Sequence, residues 1–317
     1  MNEMIFCSDQ EPRHRRWFNC IRMPFEYKYL ISGEVELLAH YQDLVFKSPV
    51  RLPVLDGDAN QLNAYVLGIR ACEDENERMH SPLGIQFLAT CGGGGDDITF
   101  RHYFPVYDDG AEVAVTLTAI HEWENGMEAT LEGQMLGGTR EIIFYDTRYA
   151  LCKCFYKIGE TYHFKLAGLA YRAEILKDTK VQMSPKATEM YCAQVGKRIK
   201  RDADGNVVPM SMETKDMVAF VSRGHECPDD HEFQSTIRCV GEINHRCDKH
   251  YVLRIACARG EDDAEIEIPL IVNPDLLGPR VWPKVGKCVR GILWMQGHCV
   301  VGSEVKKISG THPAEGL

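Results

Sequence analysis

The sequence predicts a mainly β fold with few helices. Three segments indicate it, because each holds two runs of alternating apolar and polar residues separated by a Gly- or acid-rich turn: 83–106, 126–146 and 250–272. Alternation with a period of two, interrupted by Gly and Asp, is typical of β-hairpins. The runs are also rich in Ile, Val, Phe, Tyr and Thr, which suit the half-buried surface of a pleated sheet.

The same order of segments occurs twice along the chain. A further strand candidate precedes each of the last two hairpins, at 113–123 and 233–243, and a connector then leads to a strand that starts at a glycine. These Gly-led strands lie in YKIGETYHFKLAGLAY (156–171) and PKVGKCVRGILWMQGH (283–298). Five strands with a connector after the third is the order of an OB-like, partly open barrel, and a glycine at the start of a barrel strand permits the bend that closure requires.

The predicted architecture is therefore two tandem OB-like small β-barrel modules behind an N-terminal β-rich region. The N-terminal region covers residues 1–107, the first module residues 108–195 and the second module residues 196–317. Each module has its own hairpin and its own Gly-led strand.

Few helices are expected, and the clearest lies at the end of the first module, where it links the two modules; a second candidate at 34–46 fits helix and strand spacings alike. The linking helix runs from about Pro185 to Val195. Ser184 suits the N-cap, Pro185 suits the first helical position, and Gly196 suits the left-handed residue that ends a helix.

The composition indicates an ordinary globular protein inside the cell. Of the 317 residues, 44% are hydrophobic and 26% are charged, and no stretch approaches the roughly 18 uninterrupted apolar residues that span a bilayer. The N-terminus lacks a basic region followed by an apolar one, so no secretory signal is expected. The 13 cysteines favour reduced core thiols over disulfides, with Cys239 and Cys257 among them. We therefore expect a cytoplasmic protein without membrane contact.

The net charge disfavours nucleic acid as a partner. Of the total of −10, residues 1–195 carry −9 and residues 196–317 carry −1. An acidic surface repels phosphate backbones, whose neutralisation dominates non-specific nucleic-acid binding. A protein partner or self-association is therefore the expected interaction, and nucleic acid could bind only at a local basic strip in the last third of the chain.

Basic and aromatic residues define one candidate binding site. Its members are Lys197, Arg198, Lys200, Arg201, Tyr162 and Trp294. OB-like barrels bind single strands by stacking bases on such aromatic side chains within a basic groove. The alternative is that strand alternation turns the aromatic rings into the barrel and leaves the charges on a solvated rim, and the acidic composition favours this alternative.

A cluster of residue types that bind metals lies between residues 225 and 250. Its members are His225, Cys227, His231, His245, Cys247 and His250. Zinc prefers thiolate and imidazole in tetrahedral sets, but the spacings H-x-C-x3-H and H-x-C-x2-H match no standard zinc knuckle. The alternative is a set of solvated loops that flank a strand. Structural zinc at this cluster is the one cofactor that the sequence leaves open.

The sequence lacks the motifs of common catalytic sites. It has no G-x-S-x-G elbow, no H-E-x-x-H pair and no kinase set, and the Gly run at 92–95 lacks the Lys of a phosphate loop. No catalytic residue is therefore assigned. The expected function is that of a non-enzymatic intracellular binding or assembly protein acting through β-barrel surfaces. The alternatives are a single-stranded nucleic-acid-binding protein and a zinc-dependent enzyme.

Overall fold

The computed structural model describes most of the chain from residue 98 onward and three shorter pieces before it. The described residues are 51–53, 63–69, 82–91, 98–136, 141–224, 227–245, 248–260 and 263–300. Within them the chain forms fifteen strands and three short helices, so the prediction of a mainly β fold is confirmed. No helix in these ranges is long and apolar enough to cross a membrane. The Gly run at 92–95 and the helix candidate at 34–46 lie outside the described residues.

The strands form three sheets. A four-stranded antiparallel sheet has the order β1 (Arg51–Pro53), β2 (Asn63–Ile69), β3 (Leu83–Cys91) and β4 (Ile98–Tyr107). A mixed nine-stranded sheet contains β5 (Ala111–Glu122), β6 (Ala129–Met135), β7 (Glu141–Asp146), β8 (Thr161–Ile175), β11 (Ala219–Ser222), β12 (Asp230–His245), β13 (Asp248–Arg259), β14 (Glu265–Val272) and β15 (Cys288–Cys299). The third sheet pairs β9 (Lys180–Gln182) with β10 (Ser211–Glu213). The helices are α1 (Tyr149–Cys152), α2 (Pro185–Gln194) and α3 (Pro274–Leu277).

The helix α2 confirms the helix predicted from about Pro185 to Val195. The Ser184 side chain accepts a hydrogen bond from the backbone N–H of Ala187 at 3.2 Å, and Pro185 opens the helix. The helix ends at Gln194, and Gly196 just beyond it has a positive φ of 66°. Glycine adopts this backbone conformation without steric cost, which is why it ends helices.

The pairings within the nine-stranded sheet form two closed circuits. The first runs β5–β6–β7–β15–β8 and back to β5, and the second runs β12–β13–β14–β8–β15 and back to β12. Both contain β8 and β15, which pair antiparallel from Phe164 opposite Cys299 to Ile175 opposite Val289. Among these pairings two are parallel, β7 with β15 and β14 with β8. The circuits are therefore fused along a common pair of strands.

The two Gly-led segments occupy equivalent places in the two circuits. The backbone N–H of Gly159 donates to the Leu117 carbonyl on β5 at 2.8 Å, and that of Gly286 donates to the Ile237 carbonyl on β12 at 2.9 Å. Both glycines have a positive φ, of 88° and 80°. Each turn leads into a long strand, β8 or β15. The chain order in both circuits is three strands, a short helix, a glycine turn and a long fourth strand.

The shared strands are buried on both faces over residues 166–170 of β8 and 293–299 of β15, which explains why these stretches are mostly apolar. On one face Leu166 and Leu293 belong to the large core cluster that both circuits contribute to. On the other face Leu169 and Trp294 belong to a second cluster, which includes Phe104 from the four-stranded sheet. The core therefore has two layers, with β8 and β15 between them.

Hydrogen bonds of the Gln86 and Gln296 side chains join the four-stranded sheet to the nine-stranded one. The Gln86 side-chain amide donates to the Thr147 carbonyl. The backbone N–H of Tyr107 donates to Oε1 of the buried Gln296 on β15 at 3.1 Å. These bonds satisfy buried polar groups at the contact, where an unpaired group would cost free energy.

The described cysteines are free thiols, and one of the two named in the sequence analysis is not in the core. Cys257 is buried, as predicted, but Cys239 is exposed. The reason is a β-bulge on β12 between Ile237 and Cys239, where the register with β13 shifts. A bulge inserts one residue into the alternation, so the side chain that follows it points to the other face.

Candidate binding groove

An open groove of about 380 Å³ crosses the outer face of four strands in the order β8, β15, β12 and β11. The first half of β12 makes this possible, because it pairs with β15 on one edge and with β11 on the other. The groove is lined by Arg172, Glu174, Met217, Ala219, Val221, Glu232, Phe233, Gln234, Arg290, Gly291 and Ile292.

The strand registers arrange the lining side chains in two rows that run across the four strands. Directly paired positions define each row. The first row is Arg172, Ile292, Glu232 and Val221. The second row is Glu174, Arg290, Gln234 and Ala219. Charged, polar and apolar side chains therefore lie next to one another, and a ligand along the groove would contact all three kinds.

Gly291 lets β15 approach β8 very closely beneath the groove. A Cβ atom at this position would lie 1.8 Å from the backbone oxygen of Arg172 and 2.7 Å from its carbonyl carbon. The register between β15 and β8 shifts immediately afterwards, between Ile292 and Leu293. Irregularities of this kind bend a sheet and increase its twist, which makes the face concave.

The charges in the groove are only partly neutralised. Arg290 donates to the Glu174 carboxylate, and Arg223 lies 3.8 Å from the Glu232 carboxylate. The Arg172 guanidinium makes neither a hydrogen bond nor an ion pair with any other residue that the structure describes. A guanidinium presents a planar set of hydrogen-bond donors. Arg172 is therefore the natural position for an anionic group of a ligand.

Apolar side chains form the outer wall of the groove. Val221 on β11 is 60% exposed and Met217, just before β11, is 36% exposed. Phe233 lies beneath them with its side chain buried. Methionine is flexible and polarisable, so a wall that contains it adapts to different apolar ligands.

The predicted basic residues are exposed and lie outside the groove, in the segment after α2. Arg201 donates to the Glu189 carboxylate at 3.2 Å and to the Gly205 carbonyl at 2.9 Å. The Lys197 Nζ atom lies 5.8 Å from the centre of the Tyr191 ring. The remaining members of this set are Arg198 and Lys200.

The two predicted aromatic residues also lie outside the groove. Trp294 is fully buried and donates its indole N–H to Asp229 Oδ2 at 2.9 Å. The Tyr162 hydroxyl accepts a hydrogen bond from the Lys157 backbone N–H at 2.9 Å and donates to the Phe155 carbonyl at 2.8 Å. Trp294 therefore offers no exposed ring face on which a base could stack.

The predicted metal cluster is described only in part. His225 and Cys247 lie outside the described residues, as does the His245 side chain, so the complete set stays a prediction. Cys227 is half-buried. No group of three or more His, Cys, Asp or Glu side chains suited to a metal lies in the part of the chain that the structure describes.

The two described histidines of that cluster lie near opposite ends of β12. His231 is the second residue of the strand, and His250 on β13 pairs with Ile243 near the strand's other end. Both are buried. The His231 Nδ1 atom lies 3.1 Å from the Asp229 carbonyl, and burial lowers the pKa of this imidazole to about 4. His231 is therefore neutral at physiological pH.

Sequence reasoning does not identify the groove, because its residues come from four strands far apart in the chain. Arg172 and Glu174 near the end of β8, and Arg290 near the start of β15, are charged positions next to the apolar central parts of these strands. These charges beside an apolar run are the feature of the sequence that could have indicated the groove residues.

No protein-family model matches this chain, and no curated protein or solved structure is significantly similar to it. The chemistry of the groove is therefore the basis for any statement about function.

Proposed function

We propose that the protein is a non-enzymatic binding protein whose groove takes an extended segment of a protein partner. The observation that carries this proposal is the pair of mixed rows of side chains across β8, β15, β12 and β11. Rows of this kind match a peptide, which presents apolar and charged side chains along one backbone.

The dimensions of the groove suit a short extended segment. Three inter-strand spacings of about 4.8 Å make the groove roughly 14 Å wide, which about four residues of an extended chain would cross. At one end Arg172 would receive an acidic side chain, and at the other Val221 and Met217 would contact an apolar one. The lining residues lie mainly on strands rather than on loops, so little ordering is required when the ligand binds.

The edge strand β11 supports the same proposal. Among the described strands β11 pairs only with β12. An edge strand presents N–H and C=O groups to an added strand, and addition of a peptide strand to a sheet edge is a common mode of recognition. A segment that leaves the groove past Val221 would reach this edge, where backbone hydrogen bonds would add to the contacts that the rows make.

We also infer that each circuit is an OB-like barrel and that the two are tandem repeats with an exchanged strand. The first circuit takes its fifth strand, β15, from the second repeat, and the second circuit takes β8 from the first. The equivalent hydrogen bonds of Gly159 and Gly286 support this inference. The groove lies on the second circuit only, because β11 adds to β12.

Single-stranded nucleic acid is the weaker candidate for the groove. Such sites combine exposed aromatic rings with a continuous positive charge. The aromatic side chain that lines the groove, Phe233, is buried, and Arg290 is paired with Glu174. The overall charge of −10 opposes this ligand as well.

A peptide-display selection on the full chain tests the proposal. A random-peptide library is selected on the wild-type protein, and the selected peptides are retested on Arg172→Glu and Val221→Asp. We expect peptides with an acidic residue near an apolar one, and we expect both substitutions to abolish their binding. The matched control is Val285→Asp, because Val285 is exposed to a similar extent, 64%, and does not line the groove.

Two outcomes would overturn the proposal. One is a set of selected peptides that binds all three variants as well as the wild type, since this would place the binding surface elsewhere. The other is a selection that enriches no peptide at all.

A further inference from the structure

The two circuits carry the same short sequence pattern in their equivalent glycine turns. Residues 155–159 read FYKIG and residues 282–286 read WPKVG. Each pattern is an aromatic residue, a spacer, a Lys, a branched apolar residue and the glycine of the turn. We call residues 155–159 the first tip and residues 282–286 the second tip.

Both tips expose their apolar side chains to a similar extent. Phe155 is 49% exposed and Trp282 is 60% exposed. Ile158 is 65% exposed and Val285 is 64% exposed. The spacer residue is buried in both tips, so it anchors the turn to its circuit and the exposed pair is not needed for packing. Single exposed apolar residues are normal on a protein surface, but an aromatic and an aliphatic side chain exposed together mark a contact surface.

The two tips lie at opposite ends of the shared strand pair. The first tip precedes β8 and the second tip precedes β15. These strands run antiparallel, with Phe164 opposite Cys299 and Ile175 opposite Val289. The stretch from Phe164 to Ile175 is about 40 Å long at ~3.3 Å per residue. A molecule with a contact surface at each end can join a copy of itself at each end.

The second tip is basic. Between residues 278 and 287 the charged residues are Arg280, Lys284 and Lys287, which are all exposed. None of these three side chains makes a hydrogen bond or an ion pair with a residue that the structure describes. Three positive charges therefore accompany the exposed Trp282 and Val285.

The first tip has acidic neighbours. The Lys153 ammonium donates to the Gly126 carbonyl at 2.8 Å and lies 3.5 Å from the Glu122 carboxylate, so the turn between β5 and β6 lies beside this tip. Glu124 in that turn and Glu160 directly after the tip are exposed. With the lysine of the tip itself, this end carries two cations and three carboxylates, a net charge of −1. The two ends of the molecule are therefore complementary in charge, and both are apolar at the tip.

We propose that the protein assembles head to tail, with the first tip of one copy against the second tip of the next copy. The interface places Phe155 and Ile158 against Trp282 and Val285, and the carboxylates of one end against the cations of the other. Because two different surfaces meet, the contact is heterologous, and it continues into an open chain of copies unless a ring closes. Each contact is small, so each is weak and the assembly depends on protein concentration.

Charge favours the head-to-tail contact over contacts between like ends. Two second tips would bring six cations together, and like charges across an interface cost free energy. Exposed charges are screened by salt, so the dissociation constant of the head-to-tail contact should rise about 10-fold between ~0.05 M and ~0.5 M salt. Contact through the apolar side chains alone would not respond in this direction.

Sedimentation velocity of the full chain tests the proposal. Over a ~100-fold range of protein concentration the wild type should change from monomer through dimer to larger species. One double variant, Phe155→Glu with Ile158→Glu, blocks the first tip, and another, Trp282→Glu with Val285→Glu, blocks the second. Each should stay monomeric by itself. Mixed in equal amounts, the two should form a heterodimer and nothing larger, because only one intact first tip and one intact second tip can meet.

The matched control is Val221→Glu, because Val221 is 60% exposed and lies in the groove rather than in a tip. This variant should assemble as the wild type does, which separates assembly from peptide binding in the groove. A double variant that still dimerises by itself would overturn the proposal, since it would show contact between like ends. A wild-type protein that stays monomeric over the whole concentration range would also overturn it, even if a variant fails to fold.

Discussion

Replacing the buried Asp146 by Asn should change how the stability of the protein depends on pH. Asp146 accepts hydrogen bonds from Tyr156 and from the Arg148 backbone, and both favour the charged form. Burial outweighs them and raises the pKa of the carboxyl group from 3.8 to about 6. The side chain therefore takes up a proton on folding at pH values between these two.

The sign of the effect follows from the higher pKa of the folded state. Because folded Asp146 binds the proton more tightly than unfolded Asp146, its stabilising contribution is fully present below about pH 4 and is lost as the pH rises through about 6. The difference between the two pKa values corresponds to about 3 kcal/mol in the free energy of unfolding. Asn carries no titrating proton, so this contribution is absent in the variant.

Urea unfolding of the two proteins between pH 7.5 and pH 4.5 measures the effect. The free energy of unfolding of the wild type should rise relative to that of Asp146→Asn by about 2–3 kcal/mol as the pH falls. Burial lowers the pKa values of His231 and His298 to about 4, and their contributions, present above about pH 6.5, are lost in the same window. Both histidines remain in the variant, so the difference between the two proteins isolates Asp146.

The matched control for this experiment is Asp204→Asn, because Asp204 is exposed in the turn after α2. It measures the effect of removing an exposed carboxyl group under the same conditions. If the difference between the wild type and Asp146→Asn stays constant from pH 7.5 to pH 4.5, Asp146 is ionised in the folded protein and the reasoning from burial is refuted.

Three further outcomes are expected. Trp294→Ala should lower the free energy of unfolding in urea by about 3–5 kcal/mol because the ring is fully buried. The control Trp282→Ala should change this free energy little, because the Trp282 side chain is 60% exposed. Equal effects of the two substitutions would contradict the prediction. Gly291→Ala should lower the melting temperature sharply, since its Cβ would overlap the Arg172 carbonyl, while Gly241→Ala, whose Cβ would meet its nearest atom at 3.7 Å, should be mild. Mixed-sequence single-stranded DNA should not bind at micromolar protein and about 0.15 M salt in fluorescence anisotropy. Tight binding would support the nucleic-acid alternative if it were lost when four residues are replaced by alanine: Lys197, Arg198, Lys200 and Arg201.

The strands and the helix α2 could be predicted because their determinants are local. Alternating side chains, the cap at Ser184, and the glycines that start β8 and β15 each act over a few residues. The same locality explains the error at Cys239, because the bulge that turns it outward depends on the pairing of β12 with β13. The prediction assumed an alternation without interruption.

The sharing of β8 and β15 could not be predicted in this way. A strand buried on both faces reads as an apolar run whichever partner it takes, so the sequence does not say whether β15 completes its own module or the preceding one. The predicted boundaries at 107 and 195 stay a prediction, and β15 contributes pairings on both sides of the second boundary. The groove depends on the pairing of β15 with β8 and β12, so the sequence could not predict the groove for the same reason.

The common pair of strands also sets the order of events during synthesis. Tyr145 on β7 pairs with Gln296 on β15, so the first circuit waits for a strand made about 150 residues later, which at ~5–20 residues per second is roughly 10–30 s. During that time β7 presents an unpaired edge and an apolar face to solvent or to a chaperone. A ribosome that stalls before residue 288 would release a nascent chain with both circuits open, which makes such truncated products candidates for rapid degradation.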